Sequence, residues 1–427
     1  MKLNIEKLYE QFLDFLIKNR DNVGLFYSGE VNELNFSEYP SMIIFLSFSY
    51  LRTQRKDIKL LLNKYVLLML VELKKRKRLS TSLCYGILGI NYAIYFANLS
   101  TGDYSRILQV IENKHIQLAE QRLENLENKL NIFESDYDII DGISGNVIYF
   151  LSNYSEQQIK SNKRMQLFIE RSLNYLVNIS VQPKSTAVIH QNEMVNNVLK
   201  EKYPDGYVNL SISHGLGGVV YALNSAKNKN IFVPRQNLAI QNILALYTNT
   251  FEICRSPLRW FARFVKNYNL TVNINYRNSW CYGIIGVLKV INEIAIENRN
   301  YQLSSLSEEF IVGVYNESIS KYSIDTPTIC HGYSGILLIS KSITLENEPQ
   351  LKTNFCNRIE EKILEYANVK TPFVFYDYDF INNGKVYETK KNFKDMSILN
   401  GNLGVFMSLL YEPNNNSLKN FFKMFCI

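Results

Sequence analysis

Apolar positions along the chain recur at the spacing of a helix, and from residue 86 onward each apolar run opens at the same kind of turn. Over the first eighty residues the runs 5–17, 41–51 and 58–76 predict three helices, separated by polar breaks and Pro40. A G-x-x-G turn then precedes every further apolar segment, at Gly86/Gly89, Gly142/Gly145, Gly215/Gly218, Gly283/Gly286, Gly332/Gly335 and Gly401/Gly404. Intervals between the first glycines are 56, 73, 68, 49 and 69 residues. About fifty residues hold two helices of ordinary length, so the unit is a helical hairpin. A seventh copy is expected near 38–43, where the glycines are missing but an apolar helix follows.

Repeated hairpins build either an open solenoid or a closed ring. Glycines at the entrance of the more apolar helix of each pair let those helices crowd together, with their turns gathered at one end. The expected fold class is therefore all-α, an α/α toroid of about seven hairpins spanning 1–427, in which turns distant in sequence converge on one cavity.

Three stretches break the helical texture. Segment 180–210 carries Pro183, Pro204, Gly206 and β-branched residues, and is expected to be a small inserted subdomain of strands and turns. The second, 257–278, contains Trp260, Phe261 and Phe264, and its alternating run 270–276 reads as a strand. The third, 371–388, is rich in Tyr and Phe and reads as a loop or hairpin.

Composition narrows the class. The 427 residues are 46% hydrophobic and 20% charged, as in a soluble globular protein with ample core. No uninterrupted apolar run approaches the roughly 18 residues of a membrane span, and charges follow Met1 directly, so a cytoplasmic location is expected. Six cysteines, at 84, 254, 281, 330, 356 and 426, form no dense framework and read as reduced thiols. Much of the net charge of +7 sits in Lys74-Lys75-Arg76-Lys77-Arg78, which reads as the cationic close of a helix; no nucleic-acid partner is expected.

Candidate chemistry lies immediately before the glycines. Cys281, Cys330 and His331 are thiol and imidazole ligands of the kind Zn²⁺ prefers, and three protein ligands leave a fourth position open, the mark of a catalytic site. A helix N-terminus also favours thiolate there. Taken singly, His214 reads as a packing or capping residue, and Asp138 as a helix cap, a role Asp136 or Asp141 could share. Cys84 occupies the position of Cys281 in an earlier repeat without an obvious partner. It is left out of the metal site, as are His115 and His190, which stand outside the glycine turns.

Four motifs in order, Asp138-x-x-x-Gly142-x-x-Gly145, Ser213-His214-Gly215-x-x-Gly218, Trp280-Cys281-Tyr282-Gly283-x-x-Gly286 and Cys330-His331-Gly332-x-x-Gly335, resemble the lanthionine synthetase C-like family, and more narrowly its bacterial lantibiotic cyclases. The weaker repeats at Gly86 and Gly401 extend the likeness over most of the chain; the first repeat departs from it in lacking glycines. The resemblance implies an α/α toroid of seven hairpins with an added SH2-like subdomain. It also implies a zinc enzyme, one Zn²⁺ per chain, that closes (methyl)lanthionine rings by adding Cys thiols to dehydroalanine or dehydrobutyrine. Carried over residue by residue, the ligands are Cys281, Cys330 and His331, the acid/base pair is His214 with Asp138, and Arg277 and Tyr282 belong to the pocket. The implied partners are a dehydrated lantibiotic precursor peptide, with a dehydratase and an ABC transporter in a membrane-associated complex.

Two other functions remain open at this level. A non-catalytic zinc and thiol-binding scaffold need not keep both Asp138 and His214. A zinc prenyltransferase would bring a carboxylate ligand and a diphosphate-binding basic cluster, and neither stands beside Cys281 or Cys330.

Overall fold

Seven helices with apolar residues on every side form one set, six where the glycine turns predict them and one where the seventh copy is expected. In the computed structural model, which describes residues 4–26, 34–181, 187–194, 197–257, 260, 262–264, 278–383, 386–392, 395–415 and 418–427, they are α2 (Tyr39–Thr53), α4 (Ile87–Thr101), α7 (Ile143–Asn153), α11 (Leu216–Asn228), α13 (Ile284–Glu297), α15 (Tyr333–Ser342) and α17 (Asn402–Leu410). Each packs on the next, and α17 packs on α2, which closes the ring. Around them stand α1 (Ile5–Lys18), α3 (Lys56–Lys75), α5 (Ser105–Glu127), α9 (Lys163–Val181), α12 (Gln236–Cys254), α14 (Tyr301–Asn316) and α16 (Pro349–Leu364). The two sets differ in pattern for a physical reason. An outer helix such as α1 buries only the stripe Leu8, Tyr9, Phe12, Leu13 and Leu16, whereas α4 is buried almost continuously from Ile87 to Ala97.

The seventh hairpin is assembled from the two ends of the chain. Outer helix α1 packs on α17 and on α3, so the inner helix of the last glycine repeat takes its outer partner from the N-terminal region. Helix α2 enters through Pro40 in its first turn instead of glycine, and Ser41 Oγ accepts the N–H of Ile398 at 3.1 Å. The missing glycines thus leave the ring closed.

A continuous set of main-chain bonds links neighbouring turns around one mouth of the toroid. Cys330 N–H donates to Leu399 O (2.8 Å), Cys281 N–H to Cys330 O (3.4 Å) and Ser213 N–H to Cys281 O (3.4 Å). Onward, Ile139 N–H donates to Ser213 O (3.0 Å), Leu83 N–H to Ile140 O (2.7 Å) and Phe36 N–H to Cys84 O (2.8 Å). The second glycine of each motif is what lets the turn fold this tightly. A Cβ at Gly145 would stand 1.9 Å from Ile139 O, and one at Gly404 1.7 Å from Ile398 O. These clashes are between the first helical turn and the loop leading into it, and the glycines also admit the neighbouring repeat, since a Cβ at Gly218 would stand 2.6 Å from Ile139 Cγ1 and one at Gly335 3.0 Å from Trp280 Cβ.

At the centre, residues 418–427 form a buried aromatic plug. The Phe421 ring stacks on Phe96 with centroids 4.0 Å apart, Phe421 O accepts the Tyr92 hydroxyl at 2.6 Å, and Phe425 O accepts Trp280 Nε1–H at 2.9 Å. Because Phe48 of α2, Tyr92 of α4 and Trp280 ahead of α13 all reach this segment, it occupies the axis of the ring.

The expected insertion at 180–210 begins later, since α9 runs to Val181. It contains β1 (Val188–Ile189), the short helix α10 (Asn197–Lys202) and β2 (Tyr207–Asn209). A third antiparallel strand, β3 (Arg263–Phe264), is recruited from the second irregular stretch, giving the order β1-β2-β3. The expected strand at 270–276 lies outside the described residues. The 371–388 reading resolves to a hairpin of β4 (Asp377–Asn383) and β5 (Val386–Asn392).

Candidate metal centre and acid/base pair

Successive turns of the mouth carry the candidate residues. In every glycine repeat the position four before the first glycine holds a hydroxyl or carboxylate: Ser82, Asp138, Ser211, Ser279, Thr328 and Ser397. In four of these repeats its oxygen accepts the N–H three residues on, from Tyr85 at 3.2 Å, Asp141 at 2.6 Å, His214 at 3.3 Å and Asn400 at 3.0 Å. This side-chain turn fixes the two residues just before the glycine, among them Ser213-His214, whereas in the two cysteine repeats Ser279 Oγ meets Cys281 Sγ and Thr328 Oγ1 accepts the Thr326 hydroxyl. The recurrence was readable in the sequence, but its acceptor role needed the coordinates.

Cys281, Cys330 and His331 converge, their ligand atoms all within 4.8 Å of one another. Among the described residues this is the cluster of His, Cys, Asp and Glu side chains able to hold a metal ion; Cys84 is not part of it. Cys281 is buried, Cys330 half-buried and His331 exposed, so the cage opens toward the mouth. Ser279 Oγ lies 3.4 Å from Cys281 Sγ. The Cys281 thiol is held well below its ordinary pKa by hydrogen bonding with Cys330, helped by His331, while Cys330 is pushed up by the same contact and by burial. Two close thiols of which one readily gives up its proton suit a soft cation, and the donor set fits zinc.

One turn further round, Asp138 uses its two oxygens differently. Oδ1 accepts the N–H groups of Asp141 (2.6 Å) and Gly142 (2.7 Å), and Oδ2 accepts His214 Nδ1–H at 2.6 Å. Burial raises the Asp138 carboxyl, with His214 pulling the other way. Burial alone would lower His214, but the bond to and charge of Asp138, with Glu134 and Cys281 adding, leave the imidazole above its ordinary value. Its side chain is 28% exposed against 1% for Asp138, and with Nδ1 engaged the nitrogen left for a reactant is Nε2. Tyr282 stacks on the His214 ring, centroids 5.5 Å apart and planes 30° apart, and burial raises its phenol so that it keeps its proton. Arg277 lies outside the described residues. Trp280 is core, 1% exposed. His115 is also core, between Asn91 and Asn146.

Sequence reasoning passed over a second ring of residues behind the site. Glu134 accepts from the Tyr207 hydroxyl (2.9 Å) and from Asn209 Nδ2 (2.6 Å), and Arg263 lies over the rings of both Tyr207 and Tyr282. These residues come from α6 (Glu134–Tyr137) and from strands far apart in the chain, with no shared motif to reveal them.

A closed α/α toroid with a cluster of two thiols and an imidazole able to hold a metal, and an Asp–His pair at the same mouth, defines the class of protein. The signature of the family described as lanthionine synthetase C-like protein matches residues 38–426, and the chain belongs to that family. It is similar to the nisin biosynthesis protein NisC of Lactococcus lactis subsp. lactis, with 27% identity over 352 residues, 79% of each chain. The solved structure titled nisin cyclase shares the fold, with a TM-score of 0.74 at 21% identity over 98% of this chain and 99% of that one.

Proposed function

We propose that the protein is a zinc-dependent peptide cyclase that forms lanthionine and methyllanthionine rings in a dehydrated lantibiotic precursor. The observation that carries this reading is the adjacency of a three-ligand cage, Cys281, Cys330 and His331, to the hydrogen-bonded pair Asp138–His214 on the same mouth of the toroid. A zinc ion held by Cys281, Cys330 and His331 would lower the pKa of a substrate thiol, ordinarily about 8.5, and so supply the sulfur as thiolate.

The chain's own residues supply the rest. As the S–Cβ bond forms, the electron pair of the substrate's Cα=Cβ bond passes toward the adjoining carbonyl as an enolate. Tyr282, kept protonated, offers its O–H to that oxygen. His214, whose imidazolium form Asp138 favours, delivers the proton from Nε2 to the α-carbon and regains one from solvent, which has taken up the proton released by the substrate thiol, so the product is an isomer of the reactant. Arg277 is assigned to the same pocket by the family resemblance. The scaffold reading is not favoured, because a thiol binder has no use for a buried, hydrogen-bonded Asp–His pair. No helix among the described residues is long and apolar enough to cross a membrane. Work alongside a dehydratase and an ABC transporter at the membrane is the finer part of this proposal.

The test is a precursor peptide carrying dehydro residues and free cysteines. Ring closure leaves its mass unchanged and removes alkylatable thiols. The protein should accelerate thiol loss over an enzyme-free control and impose one product stereochemistry, and a chelator should abolish both effects. Tight binding of the peptide with no acceleration would leave the scaffold in its place.

A further inference from the structure

The small β1–β3 sheet reaches the mouth of the toroid through one side chain. Arg263, on β3, places its guanidinium carbon 5.1 Å from the centre of the Tyr207 ring and 5.1 Å from that of Tyr282. Tyr207 belongs to the partner strand β2, and its hydroxyl is held by Glu134, whose charge also acts on Arg263. The main chain of Tyr282 is gripped from the same stretch, Trp260 Nε1–H donating to Tyr282 O at 3.0 Å. Arg263 Nε–H is buried and has no partner among the described residues. An arginine kept purely as a structural clamp ordinarily makes a two-pronged bond to a carboxylate. Here the guanidinium instead hydrogen-bonds Tyr207 and lies over two aromatic rings, one of which is the ring stacked on His214.

We infer that Arg263 is a positioning residue for ring closure: sandwiched between Tyr207 and Tyr282, it fixes the Tyr282 ring against His214 and so sets the direction of both side chains. The inference rests on the cyclase reading above. A cation over the face of a tyrosine resists rotation of that ring out of its plane of contact, and in a partly desolvated setting the contact is worth about threefold to thirtyfold in an equilibrium or a rate. The inserted sheet thereby becomes part of the catalytic apparatus, since Trp260 holds the main chain of Tyr282 and Arg263 holds its ring.

The experiment is a double-mutant cycle on the full chain loaded with zinc, using the dehydrated peptide as substrate. Arg263→Met should lower kcat about tenfold with KM changed less than about twofold and zinc still stoichiometric. Arg263→Lys, which keeps a cation over the ring, should recover most of the loss. In a Tyr282→Leu background, where no ring remains to be held, Arg263→Met should cost nothing further. An unchanged kcat, a loss confined to KM, or an equal loss in the Tyr282→Leu background would each overturn the assignment. A lowered melting temperature with wild-type kcat would make Arg263 a structural clamp only. Should Arg263→Met fail to fold, Arg263→Gln, which also removes the cation, read in both backgrounds carries the same comparison. Wild-type protein that closes no rings at all would instead sink the cyclase reading itself.

Discussion

Asp138 performs two tasks with two oxygens, and one substitution separates them. In four of the other five glycine repeats the same position is serine, and its single oxygen can support the turn: Ser82 Oγ accepts Cys84 N–H at 3.0 Å and Tyr85 N–H at 3.2 Å. Asp138→Ser therefore keeps the turn acceptor and removes only the partner of His214. Asp138→Ala removes both. With alanine, the N–H groups of Asp141 and Gly142 lose an acceptor that takes them at 2.6 and 2.7 Å. At about 1–3 kcal/mol for each unpaired donor, Ala should destabilise the fold by about 2–6 kcal/mol, whereas Ser should stay within about 1 kcal/mol of wild type. Both variants release His214 from its 2.6 Å bond, so burial again dominates the imidazole and its pKa falls. The imidazolium is the acid form. It is then lost at a lower pH, the alkaline limb of the rate profile moves down, and ring closure at neutral pH slows by about 10²- to 10⁴-fold. The assays are urea unfolding for stability and single-turnover thiol consumption across pH for rate, with zinc measured in each variant. If Asp138→Ser closes rings at the wild-type rate, Asp138 is a turn residue alone. If it is as unstable as Asp138→Ala, the division of labour between the two oxygens is wrong.

Further outcomes follow from the same geometry. Cys330→Ala should abolish stoichiometric zinc while the helical circular dichroism persists, because the ring's apolar packing does not involve the cage; normal metal content in the variant would remove Cys330 from the ligand set. Gly145→Ala drives a Cβ to 1.9 Å from Ile139 O and should cost more than about 3 kcal/mol, against about 1 kcal/mol for Gly102→Ala, where φ is +77° but the space is open; equal losses by denaturant unfolding would refute the close approach. His115 is fully buried and its pKa is lowered by burial to about 4. The unfolded chain takes up that proton below pH about 6.5, so the contribution is intact above 6.5 and declines toward pH 4 by about 3 kcal/mol. The stability difference between wild type and His115→Gln should therefore shrink over that window, and a pH-independent difference would refute it.

The sequence by itself determined what is written locally. Helical periodicity and the recurrent glycine pairs were enough for the seven hairpins, because each turn's tightness depends on a glycine six residues after the carbonyl it meets, as Gly145 meets Ile139 O. The candidate ligands were legible because Cys281, Cys330 and His331 share one register in that repeat. Tertiary structure alone decided what depends on closure. That α1 completes the hairpin of α17 and that residues 418–427 fill the axis are contacts between segments far apart in the chain, with no periodic trace in either, and the main-chain bonds that link neighbouring turns from Leu399 to Phe36 each join one repeat to the next. The same holds for the residues behind the site. Asp138 is a turn-former by its position in the repeat and becomes half of an acid/base pair only because the neighbouring turn brings His214 to its second oxygen. Arg263 lies in a two-residue strand whose partner, β2, is more than fifty residues earlier in the chain, and nothing in its own neighbourhood marks it. Local periodicity reports which face of a helix is buried, but which side chains meet is set by how the ring closes.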